Sequence, residues 1–128
     1  MQDNDIDGSG KAASAVVTAP QTVADVLDAA ATRLEQHNAW TKDAYARRAD
    51  GSATQTTADD AVCWCTVGAI ASIAGGFMTP LFDRAVGILG LSLGRTIVGF
   101  NDAPNRQQEE VVAALRAAAT SARQGETK

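Results

Sequence analysis

The sequence predicts a mainly α-helical fold, a compact bundle of about five helices with a short hairpin or ordered loop between the first two. Three observations predict it. Apolar residues recur at three- and four-residue intervals in several separate stretches, the spacing that gathers them on one helix face. Side chains able to cap a helix (Thr22, Asp59, Thr79, Ser92 and Asn105) stand where those stretches begin. No charged residue occurs between Asp60 and Asp83, so other elements must cover that segment.

The chain of 128 residues suits one domain. It reads as a disordered tail over 1–19, a helical domain over 20–119 and a fraying tail over 120–128. Aromatic residues make up only 5% of the sequence, so the core falls to Val, Leu, Ile and Ala and requires closely packed helices. The net charge of -4 argues against nucleic-acid binding, which needs clustered cations.

In the polar stretch 1–19, Asp3, Asp5, Asp7 and Gly8 match the opening of a calcium loop. Lys11 and Ser14 then stand where oxygen ligands are required, which leaves half the set missing. Pro20 marks entry to the first helix, where Thr22 and Asp25 form a short capping box. Val23, Val26, Leu27, Ala30 and Leu34 carry its apolar face to about Gln36. From Lys42 to Thr57 the helical period is lost, and Asp50-Gly51 is a turn signal, which suggests a hairpin of 44–48 with 53–56 or else a plain ordered loop. Trp40 and Tyr45 are expected to cover one end of the core.

Residues 59–76 then read as the central helix around which the others pack. Asp59-Asp60 would favour the positive end of its dipole, and Gly75-Gly76 would end it. A membrane span over 61–82 is the competing reading. The abundance of Ala, Gly, Ser and Thr, the break at Gly75-Gly76 and the lack of flanking Lys or Arg weigh against it. The third helix starts at Thr79-Pro80 and stops at Gly90, and a short fourth is capped by Ser92 and carries Leu93, Thr96, Ile97 and Phe100. Asn101 to Pro104 form a turn by composition. A box of Asn105 with Gln108 then opens the last helix, along which run Val111, Val112, Leu115, Ala118 and Ala119.

Five motif blocks gather most of the notable side chains: Trp40; Ala46-Arg47-Arg48-Ala49-Asp50-Gly51; Ala61 to Ala69, reading A-V-C-W-C-T-V-G-A; Phe100-Asn101-Asp102-Ala103-Pro104-Asn105-Arg106; and Glu109-Glu110-Val111 to Ala117. In these blocks the chain resembles a family of small bacterial and phage proteins with no established activity. The resemblance implies Cys65, Asn101, Asp102 and Arg106 as motif positions and brings no reaction with it.

The candidate binding residues are therefore Trp40, Trp64, Cys65, Asn101, Asp102 and Arg106. Two cysteines and one histidine are too few for a four-ligand metal site without carboxylates, and no cofactor is expected. Cys63 and Cys65 are expected to be free thiols in the cytoplasm, with no secretion signal at the N-terminus. The leading reading is a non-catalytic binding or protein-interaction module, phage- or mobile-element-encoded, whose partner is an unknown protein or small molecule, not nucleic acid or membrane. The alternative is a cysteine-dependent small-molecule hydrolase or transferase, with His37 activating Cys65 and Asn101 or Asp102 orienting it. Each also has a plain structural role: Cys65 as a small packing residue, and Asp102 with Arg106 as a local ion pair.

Overall fold

The first helix opens where its cap was expected. Thr22 Oγ1 accepts the N–H of Asp25 at 3.0 Å, and α1 runs over Val23–Leu34. The computed structural model describes residues 22–126, so the tail, calcium-loop and Pro20 readings lie outside the described residues. Among those residues α1 is followed by β1 (Ala46–Arg48), β2 (Ala61–Trp64), α2 (Thr66–Ala74), α3 (Pro80–Leu93), α4 (Ile97–Asp102) and α5 (Gln108–Glu126). The fold is thus mainly helical, five helices with a two-stranded antiparallel hairpin between the first two. No helix among the described residues is long and apolar enough to cross a membrane.

The packing hub is α1, not the uncharged middle of the chain. It lies against α5 along its length and also touches α2 and α3. Ala24, Leu27, Ala31 and Leu34 of α1 and Val111, Leu115, Ala118 and Ala119 of α5 are all buried, so small residues let two backbones approach and the leucines fill the rest. Polar groups set the antiparallel register. Gln108 at the start of α5 donates to the carbonyls of Leu34 and Gln36 at the end of α1. Arg116 reaches Asp28 and Glu35, and Arg123 reaches Asp25 and Asp28. The last helix continues to Glu126, with Ala122 buried, past the point where fraying was expected.

The largest departure from expectation is the start of the central helix. Ala61–Trp64 is a strand paired with Ala46–Arg48, and Cys65 caps an α2 of nine residues. Four residues of Ala, Val, Cys and Trp fit either period, and the choice falls to tertiary partners. Trp64 donates its N–H to Ala39 O at 2.8 Å and accepts from Thr41 N at 3.0 Å, bonds that a helical turn would forgo. Asp59 and Asp60 consequently sit before a strand and serve no helix dipole. The 53–56 segment expected as the second strand contributes only a bridge from Ala53 to Arg47, on the opposite edge of β1. The turn itself is as read: Gly51 has φ 88°, and Asp50 accepts from the Ser52 N–H and hydroxyl, which hold its carboxyl below the usual carboxylate range.

Downstream, Gly75 ends α2 in the left-handed conformation, and Thr79 with Pro80 starts α3 as expected. Gly90 does not stop α3; the helix runs to Leu93, and Gly94 at φ 68° terminates it. Glycine permits an ending without forcing one, and Leu89 and Leu93 extend the buried stripe across it. Thr96 rather than Ser92 caps α4. Asn101 and Asp102 are its last residues, not turn residues, and at the start of α5 the Gln107 N–H donates to Glu110 Oε1 at 2.8 Å in place of the expected box of Asn105 with Gln108.

Candidate functional site

Three segments far apart in sequence meet beside the hairpin: the loop 39–45 after α1, the β2–α2 junction at Trp64 to Gly68, and the C-terminal turn of α4. Asn101 ties them together. Its side chain is 1% exposed, and its Oδ1 accepts from Trp40 Nε1 at 2.7 Å, Thr66 N at 2.9 Å and Thr66 Oγ1 at 2.6 Å. Its Nδ2 donates to Thr41 O at 3.2 Å and Asp102 Oδ1 at 2.8 Å. With donors on one side and acceptors on the other, the amide has only one workable orientation. Every polar atom of this buried side chain is satisfied, so Asn101 acts as a latch.

Cys65 stands at the N-cap of α2, where its Sγ accepts the N–H of Gly68 at 3.3 Å. A helix N-terminus ordinarily helps a thiolate, yet here burial dominates and pushes the thiol pKa up. The Gly68 and Val67 amides oppose that shift, and the charge of Asp102 adds to it. The thiol is therefore held protonated and works as a cap.

Gly68 explains why the backbone can close at this point. A Cβ there would lie 1.9 Å from the Tyr45 carbonyl oxygen, which already accepts the Cys65 N–H at 3.2 Å. Any larger residue would push the loop off the helix. Arg47 secures the same loop from the other side, donating to Thr41 Oγ1, Lys42 O and Gly51 O.

Between the loop, α2 and α4 lies a cleft of about 460 Å³ whose lining includes Asp43, Tyr45, Cys65, Val67, Val98, Asn101 and Asp102. Cys65, Asn101 and Asp102, three of the sequence-derived candidates, thus share one cavity. Trp40 reaches it only through its bond to Asn101. Trp64 turns away, donating to Thr56 O at 3.0 Å beneath the Arg33 guanidinium, and neither tryptophan floors the cleft.

Arg106 does not pair with Asp102 as expected. It donates to Phe100 O at 2.8 Å, covers the Phe100 ring and approaches Glu110 at 3.4 Å, because Asp102 ends a helix and faces the loop instead. His37 is exposed in the turn after α1 and does not line the cleft.

Sequence reasoning missed Thr66, Asp43, Val67 and Val98 as members of this site. Thr66 carries the one local signal, a hydroxyl on an apolar stripe, which needs a buried partner. Asp43 has φ 66° and meets Asp102 only through the fold, so nothing local marks it. Among the described residues no group of three or more His, Cys, Asp and Glu could hold a metal ion.

The chain belongs to DUF6197, a family of unknown function whose model matches residues 18–121, in keeping with the resemblance carried by the motifs. No curated protein and no solved structure matches it.

Proposed function

We propose that this member of DUF6197 is a non-catalytic binding module whose ligand enters the cleft between the hairpin loop, α2 and α4. The observation that carries the reading is how the polar groups of the motifs are used. Asn101 is saturated by five bonds within the protein, and the Cys65 sulfur caps α2 with its pKa raised. Arg47 is bound to three oxygens of its own loop. A nucleophile needs a low pKa or an adjacent base, and His37 is not among the cleft residues. What remains presented to solvent is a concave, mainly apolar surface with two carboxylates, the composition of a small-ligand site. The free thiols of Cys63 and Cys65 fit a reducing compartment such as the cytoplasm.

The test is a fragment screen read by amide and methyl chemical shifts on the wild-type chain and on Cys65→Ala. The proposal expects hits that move Tyr45, Val67 and Val98, bind both proteins alike and are recovered unchanged. Hits confined to the other face of the molecule, or turnover that disappears with the thiol, would contradict it.

A further inference from the structure

Among the residues that line the cleft, Asp43 and Asp102 carry the only charges, and both are negative. Asp102 spends one oxygen, Oδ1, on Asn101 Nδ2 at 2.8 Å and on the Asp43 N–H at 3.4 Å. Neither its Oδ2 nor the Asp43 carboxylate has a hydrogen-bond or ion-pair partner among the described residues. The cations nearest in sequence are committed elsewhere. Lys42 Nζ donates to Ala103 O at 2.9 Å, and Arg47 donates to Thr41, Lys42 and Gly51. The left-handed backbone of Asp43 turns its N–H toward Asp102, so the fold brings two like charges into one lining, and neither carboxylate forms an ion pair with Lys42 or Arg47, which keep their charges outside the cleft lining.

The walls are apolar. Tyr45 and Val98 remain 52% and 50% exposed, large apolar side chains left open to water, and Val67 shares the lining with them. Tyr45 is also steadied from behind, its ring 5.0 Å from that of Phe77, which in turn lies 5.3 Å from Phe82 of α3. Two carboxylates without an ion-pair partner among the described residues and an aromatic ring in one lining favour a positively charged ligand.

Building on the binding reading above, we infer that the cleft takes a small organic cation. An ammonium or guanidinium group faces Asp43 and Asp102, and its apolar stem lies between Tyr45, Val67 and Val98. The volume of about 460 Å³ accommodates a molecule of one ring and a short chain.

Phenethylamine, phenethyl alcohol and phenylacetate share a shape and differ in charge. Each is titrated into the full-length protein while the Tyr45, Val67 and Val98 signals are followed. The amine binds about tenfold more tightly than the alcohol, the gain expected of a charge-assisted contact, and phenylacetate binds more weakly than either. Asp43→Asn removes the charge at an exposed position whose backbone angle asparagine accepts, so folding is not at stake. It lowers amine affinity several-fold and leaves the alcohol unchanged. Equal affinities for amine and alcohol, with shifts at the cleft, would overturn the cation assignment and leave the binding reading standing. No shift at the cleft with any of the three would overturn both.

Discussion

Replacing Gly68 with alanine places the new Cβ 1.9 Å from Tyr45 O, 2.8 Å from Tyr45 C and 3.2 Å from Tyr45 Cα. The first of these falls roughly 1.5 Å short of ordinary contact, and its partner is backbone, which cannot rotate away. Either the 39–45 loop lifts or α2 shifts, and both outcomes stretch the Cys65 N–H bond to Tyr45 O. Overpacking of this kind costs about 1–3 kcal/mol, and a weakened buried hydrogen bond adds about 1 kcal/mol. Alanine's helix preference returns at most about 1 kcal/mol. The net expectation is a loss of about 2 kcal/mol, measured by urea unfolding, with altered shifts at Tyr45 and Cys65. Gly87→Ala on the exposed face of α3, where nothing lies within 4 Å of the added carbon, is the control and should gain up to about 1 kcal/mol. A Gly68→Ala protein as stable as wild type, with those shifts unmoved, would refute the reasoning.

The other expectations concern the latch and the thiol. Asn101→Ala leaves Trp40 Nε1 and both Thr66 donors without their acceptor and should cost about 3 kcal/mol or more by urea unfolding; a loss under 1 kcal/mol would contradict the latch role. Trp40→Phe keeps the ring and deletes one bond to Asn101, so the same assay should show a smaller loss of about 1 kcal/mol. Cys65 should react with a thiol reagent far more slowly than the more exposed Cys63 at neutral pH, and rapid labelling of Cys65 in the folded state would count against its role as a closed cap. Because burial raises the Cys65 pKa in the folded state, the thiol's contribution to stability is fully present below the ordinary thiol value and is lost as pH rises toward the folded one. Cys65→Ala should therefore flatten the alkaline limb of the stability profile.

What could be read from the sequence was what local chemistry decides. Thr22, Thr79 with Pro80, and Gly75 mark helix ends by bonds reaching only a few residues, and each occupies its expected place. The strand at Ala61–Trp64 was hidden because its partners lie 13 to 25 residues away, and four residues cannot distinguish a period of two from one of 3.6. Asn101 and Asp102 have turn composition, yet donors from Trp40 and Thr66 satisfy Asn101 inside a helix. Cys65, Asn101 and Asp102 do meet at one cleft, whereas Arg106 and Trp64 face other partners. Asp43 could not be anticipated, since its significance comes from standing beside a residue 59 positions further along the chain.

The most direct test of the claim that the motif residues hold three segments rigidly around the cleft is native-state hydrogen exchange at Thr66. Its amide donates to the buried Asn101 Oδ1 at 2.9 Å. The account predicts that it exchanges only through global opening, alongside the buried Leu27 and Ala30 of α1. Exchange as fast as that of exposed Gly51 would mean that the latch does not hold.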